Sequence, residues 1–248
     1  MRAMRGTENM DTRPPNDPAR HRGSPSGGND RPLRVLVAAG PTHEPIDDVR
    51  FIGNRSSGRM GTAIGAAFRD AGCHVTLARG PGLAALDGCT DRRFGTAAEL
   101  LALLKAEWPR HDLLVMAAAV ADYRPVRRVD GKLRREDGAL TLQLEPTEDI
   151  LSGLAGTRGD RQYVVGFALE RPEELAASAA AKLVRKRADA IVANPLETMD
   201  STDVDGRVLL ADGRTMAPPG GRMPKPAFAA WLAAVILPLA RARVAGLA

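Results

Sequence analysis

"LRVLVAAG", residues 33–40, decides the fold. Its apolar positions run consecutively from Val35 to Ala39 and stop at Gly40, with no polar alternation. A run this short, without a polar face, reads as a strand buried on both sides, as in a parallel sheet covered by helices. Working outward, "CHVTLARG" (73–80) is a second such run. Between the two, Met60, Ala63, Ile64, Ala67, Phe68 and Ala71 recur at spacings of three and four, which puts them on one helix face. Gly72 follows where a helix C-terminal stop belongs. "TAAELLALLKAEW" (96–108) opens with Thr96 and Glu99 at capping-box spacing, and "DLLVMAAAVADY" (112–123) is again a strand, ending in small residues. Strand, helix, strand, helix, strand predicts an α/β fold with a doubly wound, mostly parallel, Rossmann-like sheet.

The pattern then loosens. "GKLRREDGALTLQLEP" (131–146) reads as a β-hairpin, with a basic arm, an Asp137-Gly138 turn, and Leu140, Leu142 and Leu144 alternating. Thr147 is the expected cap of a short helix, "TEDILSGLA". A strand "QYVVGFALE", a helix "PEELAASAAAKLVRKRA" and a strand "DAIVANP" follow. "GRVLLADGRTMAP" (206–218) is a second hairpin extension, turning at Asp212-Gly213. The last helix starts near Pro226, with proline in its first turn. Its apolar run, 227–240, is shorter than the roughly 20 residues of a membrane span and contains Pro238, so it reads as a buried helix. Residues 1–32 are dominated by Pro, Gly, Arg and Asp. They cannot bury enough apolar surface to offset their ordering entropy, so a disordered tail is expected, with one domain over 33–248.

Of the 248 residues only 4% are aromatic, so the core must be built from Ala, Leu, Val and Ile. The net charge of +5 suits an anionic partner, and small phosphorylated ligands need such charge as much as nucleic acid does. Cys73 and Cys89 have no metal-ligand spacing and make no disulfide framework, which points to reduced thiols in a cytoplasmic protein. No long apolar N-terminal stretch reads as a signal peptide. His21, His43, His74 and His111 fit no metal or triad spacing, and no Gly-x-Ser-x-Gly occurs. The inventory lacks general acid–base or covalent machinery. It suits transfer of a nucleotidyl or phosphoryl group, which needs positioning and cationic charge.

Ligands of open α/β sheets bind beyond the carboxyl ends of the strands. The residues expected there are Gly40–Thr42, Ala121–Tyr123, Phe167–Glu170 and Asn194. The Gly-x-Gly-x-x-Gly fingerprint of a dinucleotide site is missing after the first strand, and so is a Gly-x-x-x-x-Gly-Lys phosphate loop. "NRSSGRMG" (54–61) offers another solution: Ser56, Ser57, Gly58 and Gly61 lead into the helix whose N-terminus favours an anion. Spacing leaves that reading and a plain serine-capped helix both open. Lys132, Arg134 and Arg135 form a basic arm that is equally a charged edge strand, and Lys182 and Lys186 share a helix face, phosphate-facing or solvated.

"AAGPTHEPIDDVRFIGNRSSGRMG" (38–61), "AAAVADYRP" (117–125), "GKLRRE" (131–136), "VVGFALE" (164–170) and "KLVRKRADAIVANP" (182–195) together resemble, in order, the motifs of bacterial phosphopantothenoylcysteine synthetase. The resemblance covers roughly 33–240. It implies a free-standing form of a ligase of coenzyme A biosynthesis. Such a ligase joins 4′-phosphopantothenate to cysteine, uses CTP with Mg²⁺ and passes through an acyl-cytidylate. It further implies a cytoplasmic homodimer, with no nucleic-acid or membrane partner, and a separate flavin-dependent decarboxylase acting on the product. Carried onto this chain, the resemblance makes Asn54 and Lys132 catalytic. It gives the nucleotide Ala118, Asp122, Lys132, Asp149, Ile150, Phe167, Lys182 and Lys186, and the substrate phosphate Gly40, Ser56, Gly58 and Gly61. No metal ligand is assigned. The chain departs from the family pattern at "KLRR" (usually Lys-x-Lys-Lys), "TEDI" (usually Asn-Pro-Asp-Ile), His43, Arg59 and Pro195. The same ligase with ATP, or an NAD(P)-dependent reductase on this scaffold, are the alternatives.

Overall fold

The computed structural model describes residues 31–135, 139–199 and 201–247. The expected tail lies outside these residues apart from Arg31 and Pro32. In chain order the elements are β1 (Arg34–Pro41), β2 (His43–Pro45), β3 (Phe51–Gly53), α1 (Arg59–Asp70), β4 (His74–Arg79), β5 (Thr90–Arg93), α2 (Ala97–Glu107) and β6 (Leu113–Ala119). Then come β7 (Tyr123–Pro125), β8 (Leu144–Pro146), α3 (Ile150–Gly156), β9 (Tyr163–Glu170), α4 (Pro172–Arg185) and β10 (Ala190–Pro195). The last are β11 (Asp203–Val204), β12 (Arg207–Leu210), β13 (Thr215–Met216), β14 (Met223–Pro224) and α5 (Lys225–Ala245).

Eight strands form one sheet in the order β13-β12-β10-β9-β6-β1-β4-β5. The six from β10 to β5 are parallel, and β12 and β13 extend the sheet antiparallel. Alternate residues of β1 serve opposite faces. Val35, Val37 and Ala39 join a core with Ile64 and Phe68 of α1 and Phe228, Leu232 and Ile236 of α5. Leu36 and Ala38 join the other core, with Leu100 and Leu104 of α2, Leu154 of α3 and Ala179 of α4. Burial on both faces is why the founding run carries no polar alternation. The expected capping box of α2 is present: Thr96 accepts from Glu99 N, and the Glu99 side chain returns to Thr96 N. The Asp212-Gly213 hairpin forms as β12–β13, with Gly213 at φ 90.

Several local expectations are corrected. The segment 132–135 is not a strand; the partner of β8 is β7, and the Asp137-Gly138 turn falls outside the described residues. β5 was not expected, because "TDRR" has no apolar face; it is held as an edge by its ladder to β4 and by the Arg79–Asp91 ion pair at 2.5 Å. The cap of α3 is Asp149, whose carboxylate accepts from Ser152 N at 3.1 Å, while Thr147 is used elsewhere. The expected buried last helix forms as α5, which runs through Pro238 to Ala245 and, at 21 residues, is longer than its apolar run. It is long and apolar enough to cross a membrane by length and composition. Phe228, Ala229, Leu232, Ala233, Ile236 and Ala240 nonetheless lie buried along it, against the core shared with α1.

Candidate active site

The sheet order reverses between β1 and β6. From β1 the chain winds outward through β4 and β5, then returns to β6 and winds the other way through β9 and β10. A crevice forms beyond the strand ends at such a reversal, and here it is a cleft of about 680 Å³. One wall is the Asn54–Ser57 loop with the first turn of α1, the second is the end of β6 from Ala117 to Val120 with Asp122, and the third joins Thr147–Leu151 to Phe167 and Glu170. Lys182, Lys186, Asn194 and Lys225 also line it.

The start of α1 is not serine-capped. Its N-cap is Gly58, at φ 67, without a side-chain cap, and no acidic residue sits in the first turn. Ser56 Oγ instead accepts from Gly58 N at 3.3 Å, ahead of the helix. The first-turn N–H groups therefore carry the helix's partial positive charge towards the cleft, without a built-in carboxylate or hydroxyl to neutralise it. Gly61 lets the helix seat on β1: a Cβ there would lie 2.5 Å from Ala39 Cβ.

The end of β6 is fastened carbonyl by carbonyl. Thr42 N donates to Ala119 O at 3.2 Å, and Asn54 Nδ2 to Val120 O at 2.8 Å. Thr42 Oγ1 accepts from Ala121 N at 3.0 Å, Thr147 Oγ1 donates to Ala121 O at 2.6 Å, and Thr147 N to Asp122 O at 2.9 Å. Thr42 is fully buried. Two residues on, the buried Glu44 accepts from Ala97 N, at the start of α2, at 2.8 Å. The "PTHEP" stretch thus ties the β6 loop and α2 to the end of β1, and presents Ala118 and Asp122 at a fixed place.

The cations sit opposite. Burial, reinforced by neighbouring Lys186, holds the Lys182 ammonium below the ordinary lysine range. Lys186 pairs with Asp149. Burial alone would raise the Asp149 carboxyl, but Lys186 and Ser152 together hold it below its usual range. Lys182 is thus a partly desolvated cation whose charge an anionic ligand would favour.

Of the expected site residues, Asn54, Ser56, Gly58, Gly61, Ala118, Asp122, Asp149, Ile150, Phe167, Lys182 and Lys186 all line this one cleft. Gly40 and Lys132 do not. Gly40 is buried at the end of β1, and a Cβ there would meet Leu83 at 2.9 Å. Lys132 is exposed, on a segment tied to the loop before β3. Sequence reasoning missed Thr147 as a clamp, and missed Lys225, buried at the start of α5, where it donates to Met199 O at 3.3 Å. The signal for Lys225 was a cation beginning a helix, against the helix dipole. Among the described residues no group of three or more His, Cys, Asp or Glu is placed to hold a metal ion.

Comparison with known proteins bears on this cleft. The family described as "DNA/pantothenate metabolism flavoprotein C-terminal domain" matches residues 31–239. The coenzyme A biosynthesis bifunctional protein CoaBC of Mycobacterium tuberculosis is 37% identical over 198 residues, covering 74% of this chain and 47% of that protein. A cysteine/cysteine sulfinic acid decarboxylase of an unknown prokaryotic organism is 42% identical over 167 residues, covering 66% of this chain and 46% of that protein. The chain thus spans about half the length of the curated relatives it matches. The crystal structure of the C-terminal domain of CoaBC superposes with a TM-score of 0.70 at 32% identity, covering 84% of this chain and 95% of that one. The chain belongs to the DNA/pantothenate metabolism flavoprotein C-terminal domain family.

Proposed function

We propose that the chain is a CTP-dependent ligase that joins 4′-phosphopantothenate to L-cysteine, a step of coenzyme A biosynthesis. The observation that carries this reading is the convergence in one cleft of an uncapped helix start, Asn54, the clamped β6 end and the paired lysines of α4. Such a cleft holds two polyanions side by side. It also fits a reaction that needs charge neutralisation more than proton transfer.

In the proposed reaction the pantothenate carboxylate attacks the α-phosphorus of CTP. One O–P bond forms, the bond to the β-phosphate bridge breaks, and pyrophosphate leaves with its electron pair. The cysteine amine then attacks the acyl carbon, loses a proton and displaces CMP. The first turn of α1, with Ser56, holds the substrate phosphate. Lys182 and Lys186 meet the triphosphate, the second giving up Asp149 for it. Asp122, Ala118 and Phe167 border the nucleoside. Mg²⁺ enters as part of the nucleotide substrate, carried largely by phosphate oxygens and water. The name of the C-terminal CoaBC domain, which this fold matches over most of its length, supports the pathway. A homodimer and a flavin-dependent decarboxylase that takes the product belong to the same proposal. Against a reductase stands the first crossover: β1 leads into the β2–β3 hairpin before α1, without the glycine-rich turn that cradles a dinucleotide pyrophosphate.

The test is pyrophosphate release from 4′-phosphopantothenate, cysteine, Mg²⁺ and either CTP or ATP. Release with CTP above ATP supports the reading, and release with ATP alone replaces CTP in it. Without substrate-dependent release from either nucleotide the ligase is excluded. Carbon dioxide evolution from cysteine or cysteine sulfinate would redirect the assignment to the chemistry named for the decarboxylase relative.

A further inference from the structure

Lys132 stands outside the cleft, yet its backbone is held on both sides. Before it, Gly131 N donates to Asp48 Oδ2 at 3.1 Å, and Gly131 O accepts from Asp48 N at 3.0 Å. After it, Leu133 N donates to Asp47 Oδ2 at 3.0 Å, while Leu133 O accepts from the Arg50 guanidinium at 3.1 and 3.2 Å. Asp47 and Arg50 form a single fork, since Arg50 Nη1 also donates to Asp47 Oδ2 at 2.5 Å. The two carboxylates differ in kind. The Asp48 side chain is half exposed, whereas that of Asp47 is fully buried. The other Asp47 oxygen accepts from Val49 N at 2.8 Å and Arg50 N at 2.6 Å. Desolvation pushes the Asp47 carboxyl up, but the three backbone donors and Arg50 outweigh it and bring its pKa down to about 2. Asp47 is therefore an ionised, fully satisfied anchor in a loop whose far end leads through β3 to Asn54. A buried carboxylate with this many donors is a rigid fastening point.

We infer that Asp47 is a positioning residue for Lys132: it fixes the peptide after Lys132 to the loop that leads to Asn54. This rests on the ligase reading and on the resemblance that makes Lys132 catalytic.

The experiment compares Asp47→Asn with wild type by timed tryptic digestion, pyrophosphate-release kinetics and thermal unfolding. Lys132, Arg134 and Arg135 supply cleavage sites in the fastened segment. The expected result is at least ten-fold faster cleavage there in Asp47→Asn. With it should come a ten-fold or greater fall in kcat at unchanged KM for 4′-phosphopantothenate, and little further loss when Lys132→Ala is added. A merely structural role would leave the two substitutions multiplicative. Multiplicative losses, or cleavage at the wild-type rate, would overturn the inference. If Asp47→Asn does not fold, Leu133→Pro removes the Leu133 N–H from this fork, and its digestion is read at Arg134 and Arg135, because trypsin does not cut a Lys–Pro bond. A wild-type chain inactive as a ligase would defeat the ligase reading, while the digestion still decides whether Asp47 fastens the segment.

Discussion

Asn54 Nδ2 donates to Val120 O at 2.8 Å, so the side chain is bound to the end of β6. One of its two amide N–H groups is engaged, which leaves the second N–H to meet an acceptor and the oxygen to meet a donor. That refines the expectation of an asparagine facing the reacting carboxyl: one N–H sets the geometry and the other is available to a carboxylate or phosphate oxygen.

Replacing Asn54 by alanine should lower kcat by about 10²–10³-fold, the range for losing one positioned polar group at a reacting centre. The residue is exposed, so the melting temperature should barely move. Pyrophosphate release and thermal unfolding on the same sample decide this, and a variant near wild-type rate removes Asn54 from the reaction.

Thr42→Val keeps the shape but leaves Ala121 N, now donating to Thr42 Oγ1 at 3.0 Å, without its partner in a buried place. An orphaned buried donor costs about 1–3 kcal/mol, or roughly 2–4 °C of melting temperature per kcal/mol for a chain of this size. Thr42→Ser keeps the accepting hydroxyl and should avoid most of the loss. Calorimetric unfolding of both variants tests the clamp, and equal melting points for valine and serine would contradict it.

Gly61→Ala places a methyl carbon 2.5 Å from Ala39 Cβ and 2.9 Å from Ala39 Cα. The second of these is backbone, so relief requires α1 to move off the sheet. Overpacking of this kind costs about 1–3 kcal/mol or more. Urea unfolding should show a lower midpoint at an unchanged slope. An unaltered midpoint would mean that the helix has room to shift.

The lowered pKa of Lys182 gives a direction for nucleotide binding. A lysine whose folded pKa is depressed loses its charge at lower pH than the ordinary value of about 10.4. Affinity for CTP should therefore weaken as pH rises through that lowered value, earlier than a solvated lysine would allow. Lys182→Arg should abolish this alkaline weakening, because a guanidinium stays protonated. Calorimetric titration of CTP without cysteine isolates the effect, and a flat profile in wild type would separate Lys182 from the triphosphate.

The β2–β3 and β7–β8 hairpins touch through β2 and β7, and they expose Phe51, Tyr123 and Leu144, with Val126 just beyond. Exposed apolar groups on adjoining ribbons favour a partner surface. If the proposed homodimer uses them, Val126→Asp should halve the sedimenting mass while leaving unfolding unchanged. An undisturbed dimer would place its interface elsewhere.

What the sequence disclosed and what it hid divide along one physical line. β1, α1 and the capped start of α2 follow from periodicity and neighbours within four residues, and they stand where the pattern put them. β5 and the β7–β8 pairing depend on partners distant in the chain, so "TDRR" carried no mark of a strand, and Leu140–Leu144 drew attention to the wrong arm. The cleft residues Asp122, Phe167 and Asn194 were legible because strand ends at a sheet reversal are where ligands bind. Gly40 lies outside the cleft lining, packed near Leu83, because a glycine at a strand end serves close packing as readily as a phosphate. Thr42 was visible only as a strand-end residue, since its use as a clamp needs the β6 loop beside it.

α5 shares with α1 the core on one face of the sheet, and it does so from residues made late in the chain. During synthesis, Ile64, Phe68 and the inward residues of β1 stay without Phe228, Leu232 and Ile236 until the ribosome has passed Ala245. Growing chains with this arrangement linger with apolar surface open and depend on the last helix to finish the job. A stop codon before residue 225 would therefore yield a nascent product prone to aggregation and to capture by chaperones, even though every residue that lines the cleft apart from Lys225 had already been made.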